Sequence, residues 1–293
     1  MRRLTFLILN FVLATAGFST AVSADDYPSL RSSSDPQLQS ILAATLNRIG
    51  LDKAVARDKL AVALVDISDP RHPRLAEVNG DNMMYAASLP KIGILLAAMH
   101  EVETGNLRYS NGLRRSLTDM IRVSSNVEAT RVMNLVGKRR VNEILALPKF
   151  RLYDEAANGG IWVGKEYGKR PAFQRDPLHN ISHGATALQV ARFYYLLDSG
   201  QLLTPRLNAA VKETLSRPAI MHKFVKGLRN RDVTIYRKSG TWHDWHADSA
   251  MIETARGKYI LVGLVEDRRG SRWLEKIAGA LHDAMYPPHI AKR

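Results

Sequence analysis

Strand-like runs stand near both ends of this chain, and helical periods fill the middle. Leu60-Ala-Val-Ala-Leu-Val-Asp-Ile67 is apolar and β-branched without a helical period. It predicts a mostly buried strand, closed by the turn residues Asp69-Pro70. Leu75 to Val78, followed by Asn79-Gly80-Asp81, predicts its hairpin partner. Far along the chain, Val233 to Arg237 is strand-like and leads into Lys238-Ser239-Gly240. His246 to Glu253 and Tyr259 to Val265 have strand lengths, with Ala255-Arg256-Gly257 as the turn of a hairpin. The arrangement predicts an α+β fold whose mostly antiparallel sheet is assembled from both chain ends and flanked by helices.

Helical spacing occupies the intervening segments. Leu38, Ile41, Leu42, Leu46 and Ile49 predict a helix over Leu38 to Leu51, with Gly50 as its stop signal. Further helices are predicted from Ser88 to Val102, Leu117 to Val123, Val127 to Val136, Thr186 to Leu197, Leu207 to Leu215 and Trp273 to Met285. Residues 150–185 differ: glycines and Pro171 and Pro177 interrupt them, and no period emerges. A stretch of that length in a compact protein is usually functional or mobile. The chain has no internal repeat.

The start reads as an address. Met1-Arg2-Arg3, an apolar run from Leu4 to Gly17 and the small residues Val22-Ser23-Ala24 predict a secretory signal peptide over residues 1–24. An uncleaved anchor is the alternative, against which Asn10, Thr15, Ser19 and Thr20 shorten the apolar run. Residues 25–293 then form one domain, expected to be monomeric and either periplasmic or held at the cell envelope. There is no cysteine, so no disulfide supports the fold, and the core must supply the stability. A formal net charge of +14 favours anionic envelope surfaces. The basic residues are scattered among acidic ones and form no stripe with aromatics between them, which argues against nucleic acid.

Ser88-Leu89-Pro90-Lys91 stands just before the apolar run Ile92 to Met99. On a helix, Ser88 and Lys91 share a face, three residues apart. A serine hydroxyl needs a neighbouring base to attack a carbonyl, and lysine is such a base when burial or a nearby cation lowers its pKa. Ser124-Ser125-Asn126 and Lys238-Ser239-Gly240 follow in order, on a helix break and at a strand end. Either Ser124 or Ser125 can cap the next helix, and Ser125 is the cap if Ser124 faces a site.

With these three elements in this order, the chain resembles the class A-like serine hydrolases of the β-lactamase and penicillin-binding protein superfamily. The resemblance implies a β-lactamase/transpeptidase-like fold with a helical subdomain. It implies that Ser88 is the nucleophile and Lys91 its base or proton relay, and that Ser124 passes the proton to the leaving nitrogen. Asn126 would hold the substrate amide, and Lys238, Ser239 and Gly240 would form the strand that receives a substrate carboxylate. The backbone N–H groups of Ser88 and Thr241 would be the oxyanion hole. Lys238 would also depress the pKa values of Lys91 and Ser124.

The departures from the family pattern concern release of the acyl group. Class A enzymes carry Glu-Pro-x-Leu-Asn, and the nearest match is Asp176-Pro177-Leu178-His179-Asn180, whose carboxylate is one methylene shorter. Asp176 is the first choice for the deacylating acid unless it only opens a turn, and Glu166, in Lys165-Glu166-Tyr167, is the second, with Glu155 a further acid in the same region. The segment between Lys91 and Ser124 is short for a class A enzyme, which would open one rim of the cleft. His243 and His246 look like a metal pair, but no helix or glutamate accompanies them. Neither metal nor cofactor is expected, and Trp242 or His243 is expected to line the cleft.

The leading expectation is β-lactam hydrolysis, the chemistry of antibiotic resistance. A penicillin-binding D,D-peptidase or related cell-wall amidohydrolase, acting on a peptidoglycan peptide, is the alternative. A weakly active or non-catalytic wall-binding protein of the same fold is the third.

Overall fold

A computed structural model of the chain describes residues 27–287. The expected signal segment, residues 1–24, lies outside them. The first half holds α1 (Pro36–Arg48), α2 (Asp52–Ala56), β1 (Leu60–Asp66), β2 (Arg74–Val78), β3 (Met84–Tyr85), α3 (Lys91–Glu103), α4 (Asn111–Arg122), α5 (Asn126–Val136) and α6 (Lys138–Ala146). Then come β4 (Tyr153–Asp154), β5 (Gly159–Gly160), β6 (Trp162–Val163), β7 (His183–Ala185), α7 (Ala187–Asp198), α8 (Pro205–Leu215), α9 (Phe224–Leu228), β8 (Thr234–Trp242), β9 (Trp245–Thr254), β10 (Gly257–Glu266) and α10 (Gly270–Met285).

The main sheet has the order β2-β1-β10-β9-β8 and is antiparallel throughout. Both ends of the chain build it, as expected: Leu60 faces Val265 and Asp66 faces Tyr259 across the β1–β10 seam. The β1 run lacks polar alternation because both of its faces are covered. Ala61, Ala63 and Val65 enter the core that contains α3 and α7, while Leu60, Val62 and Leu64 meet α1 and α10 on the other side. The result is an α+β fold of the β-lactamase/transpeptidase type.

Local chemistry explains most of the boundaries. Asp35 caps α1 by accepting a hydrogen bond from Leu38 N at 2.6 Å, Pro36 fits its first turn, and Gly50 follows its end at φ +74°. Thr186 caps α7 through Gln189 N. Several elements differ from expectation, among them three helices. The helix predicted from Leu117 starts at Asn111, because Ser110 caps it and only Leu113 is buried in its polar first turn. Helix α6 was not foreseen: it opens on Lys138-Arg139-Arg140 and buries Val141, Ile144 and Leu145 on one side. The five-residue α2 is likewise additional and buries no side chain.

Candidate active site

Ser88 lies in a tight turn between β3 and α3. The chain enters that turn through Ala86, whose N–H donates to His183 O at 2.9 Å, and through Ala87, which adopts φ +50°. A left-handed non-glycine residue is uncommon and marks a turn held by its surroundings. Successive bonds from Leu89 N to Ala86 O (3.0 Å) and from Gly93 N to Pro90 O (2.8 Å) tighten the turn before the helix proper begins at Lys91. The helix expected from Ser88 thus starts three residues later, with Ser88 in the preceding turn. Leu89 is buried and anchors this turn, while Ser88 stays half-buried at the edge of a cleft.

The Lys91 side chain is fully buried at the bottom of that turn. Its ammonium donates to Ser124 O at 2.7 Å, to Asn126 Oδ1 at 2.8 Å and to Ser124 Oγ at 3.3 Å. Among the described residues none of its hydrogen bonds goes to Ser88. Burial pulls its pKa down to about 7. Burial, rather than the Lys238 charge suggested by the sequence, is therefore what lowers Lys91. A neutral amine has two N–H donors and one lone pair. The two short acceptors use the donors, which leaves the lone pair to receive a proton.

Ser124 bridges two lysines. It sits at φ +58°, and its hydroxyl accepts from Lys238 Nζ at 2.9 Å as well as from Lys91. Ser125, not Ser124, caps α5, accepting from Glu128 N at 3.2 Å. Lys238 also donates to Ser239 O at 2.6 Å, and burial first, then the charge of Lys91, hold its pKa well below the ordinary lysine value.

Strand β8 presses on the nucleophile turn. A Cβ at Gly240 would stand 2.2 Å from Ala86 O and 2.7 Å from Ser88 N, so only glycine permits this approach. The motif expected at a strand end lies inside β8, which continues to Trp242. Behind the strand, Lys223 Nζ donates to Gly240 O (2.6 Å), Thr241 Oγ1 (2.7 Å) and Ala247 O (3.1 Å). Arg237 and Asp248 form a buried bidentate pair, both bonds at 2.8 Å. Lys223 and this pair were not singled out from the sequence, because their partners are set by cross-strand register.

Ser88, Asn126, Glu166, Tyr167, Thr241 and Trp242 line one cleft of about 650 Å³. The sequence model of the Beta-lactamase enzyme family matches residues 41–114 and 110–285. The chain belongs to that family. Solved structures share the fold. PBP-A is similar at 16% identity over 86% of this chain and 97% of its own, with a TM-score of 0.64. The β-lactamase from Sphaerobacter thermophilus DSM 20745 is similar at 18% identity over 85% of this chain and 99% of its own, with a TM-score of 0.64. An acyl-enzyme complex of a PBP-A mutant with penicillin G aligns at 16% identity over 88% and 98%, with a TM-score of 0.65. No curated protein matches the sequence.

Against the family pattern, the two candidate acids occupy different places. Asp176 is buried and does not line the cleft. It accepts the Tyr153 hydroxyl on one oxygen and His179 N on the other, the latter at 2.6 Å, so one oxygen holds a turn and the other ties that turn to β4. Glu166 does line the cleft. It is paired with Lys138, and with Arg170 at 3.5 Å, and the Lys138 hydrogen bond leads in holding its carboxyl below the usual range. Trp242 lines the cleft as expected, whereas His243 sits in the β8–β9 turn. His246 is buried on β9.

Proposed function

We propose that the protein is an exported serine enzyme that opens amide bonds through an acyl-enzyme on Ser88. The observation that carries the reading is Ser124 Oγ, held between Lys91 Nζ at 3.3 Å and Lys238 Nζ at 2.9 Å beside the Ser88 turn. Neutral Lys91 takes the Ser88 proton as Oγ bonds to the carbonyl carbon. The N–H groups of Ser88 and Thr241 receive the oxyanion. The C–N bond then breaks, and the proton passes through Ser124 to the departing nitrogen. Lys238 and Ser239 bind the substrate carboxylate, and Asn126 orients the substrate amide. Water finally opens the ester and restores Ser88.

Release is the slow half of this cycle. Asp176 lies off the cleft and spends its oxygens on Tyr153 and His179, and Glu166, though on the cleft, is held by two cations that weaken it as a base, so water is activated poorly. This favours a penicillin-binding D,D-peptidase or a related cell-wall amidohydrolase, acting in the periplasm or at the envelope. The structurally similar PBP-A mutant, solved as an acyl-enzyme complex with penicillin G, agrees with it. Rapid β-lactam hydrolysis is the second reading, and the position of Glu166 on the cleft favours it.

Purified protein incubated with a fluorescent penicillin and a chromogenic cephalosporin, alongside Ser88→Ala, tests both. Persistent label without turnover supports the first reading, and fast turnover with little trapped label supports the second. Label retained by Ser88→Ala, or none on either protein, overturns the nucleophile assignment.

A further inference from the structure

Lys223 is a fully buried lysine whose charge the local fold does not need. It stands just ahead of α9 at φ +55° and ψ −119°, a conformation that a non-glycine residue keeps only where its surroundings impose it. Main-chain contacts do so. Phe224 N donates to Asp248 Oδ2 at 3.0 Å and Gly227 N to Lys223 O at 2.8 Å, while Arg237 donates to Ile220 O at 2.6 Å and to His222 O at 3.1 Å. The segment is anchored through its backbone, without help from the ammonium.

All three donors of that ammonium go to the β8–β9 hairpin: to Gly240 O at 2.6 Å, Thr241 Oγ1 at 2.7 Å and Ala247 O at 3.1 Å. No carboxylate is among these partners. Gly240 and Ala247 already face each other in the ladder, so the strands pair without the lysine. Burial lowers its pKa to about 8 and Asp248 opposes that fall, so the charge is present at pH 7. Asp248, Arg237, Lys238, His222 and His246 are the titratable or charged groups that share its field, and burial holds both imidazoles below their ordinary value.

Gly240 O and the Thr241 N–H are opposite ends of one peptide group. That peptide is trans, so the N–H points away from the ammonium, and Thr241 lines the cleft that holds Ser88. A cation bonded to the carbonyl oxygen draws electron density along the conjugated amide and makes its N–H a stronger donor.

We propose that Lys223 is a positioning residue that orients and polarises the Gly240–Thr241 peptide, strengthening the Thr241 N–H toward the oxyanion formed at Ser88. This rests on the acyl-enzyme reading above. Outright loss of an oxyanion donor costs about 100- to 1000-fold in rate. Loss of its polarisation alone costs a part of that, about tenfold.

Lys223→Met keeps the length of the stem and removes the charge. Stopped-flow labelling with a fluorescent penicillin at pH 7 separates the acylation rate constant from the dissociation constant of the preceding complex. The rate constant should fall about tenfold and the dissociation constant should hold. An unchanged rate constant, with or without weaker binding, overturns the proposal. A second arm needs neither penicillin nor acylation. Gly-Thr occurs once in the chain, so carbonyl-13C glycine with 15N threonine marks this peptide alone by NMR. Its paired resonances should move upfield in Lys223→Met, and in the unaltered protein they should titrate with a midpoint of about 8. The titration decides the matter if Lys223→Met fails to fold. Resonances that stay in place overturn the polarisation even where acylation slows. If the unaltered protein forms no adduct while the resonances respond, only the acyl-enzyme reading falls.

Discussion

The Lys91 ammonium stands 4.5 Å from the centroid of the Tyr167 ring, at the end of a fully buried side chain. Two opposing effects meet there: the ring face attracts the charged form, and burial penalises it. Cation–π attraction is worth about 1 kcal/mol, whereas each pKa unit corresponds to about 1.4 kcal/mol. A fall from 10.5 to about 7 therefore means that burial wins. In the proposed mechanism neutral Lys91 is the base, so acylation should rise with pH and level off above about 7. Tyr167→Ser admits water, returns the lysine toward its ordinary value and moves that limb to higher pH. The pH profile of penicillin labelling measures it, and an unmoved limb would count against Tyr167 as the seal.

Gly240→Ala places a methyl group 2.2 Å from Ala86 O and forces β8 away from the Ser88 turn. A displacement of about an ångström costs on the order of a hundredfold in rate, and overpacking costs about 1–3 kcal/mol in stability. Labelling should slow far more than thermal unfolding shifts. Normal labelling in a folded Ala variant would separate β8 from the chemistry.

The two acids can be told apart by the lifetime of the acyl-enzyme. Asp176→Asn weakens the acceptors for Tyr153 and His179, so it should lower stability by about 1–3 kcal/mol and leave release unchanged. Glu166→Gln should slow whatever release remains by about tenfold or more. Decay of the labelled protein, followed by mass spectrometry, reads both, and the opposite pattern would restore Asp176 as the acid.

Removing Asp248 alone leaves the buried Arg237 guanidinium without its counter-charge. Asp248→Asn should cost about 3–5 kcal/mol, and the paired replacement Arg237→Met with Asp248→Leu should recover most of it. Denaturant unfolding of the unaltered protein, Asp248→Asn and the paired replacement tests this, and a paired replacement no more stable than Asp248→Asn would refute it.

What the sequence disclosed was local. Ser88 with Lys91, Ser124 beside Ser125, and Lys238 with Gly240 are spacings within a turn or a strand, and each keeps its meaning once folded. The sheet was equally legible, because β1 and β10 are apolar runs of strand length. The aromatic lining of the cleft was hidden: Tyr85, Tyr167, His183 and Trp245 come from four separate segments, and only the assembled fold brings their rings together. Asp176 misled for the opposite reason. Its letters resemble the family's release motif, yet its carboxylate is satisfied by His179, three residues away, and by Tyr153. Helix α6 escaped notice because its basic first turn conceals a narrow buried stripe.

The sheet order has a temporal consequence. Strand β8 is attached only to β9, β9 to β10, and β10 to β1, near the opposite end of the chain. The contact between Gly240 and the Ser88 turn closes a long loop of the chain, and loop-closure entropy places such a contact late in folding. Lys238, on the same strand, reaches Ser124, so a chain that lacks its C-terminal third holds Ser88 and Lys91 without Lys238.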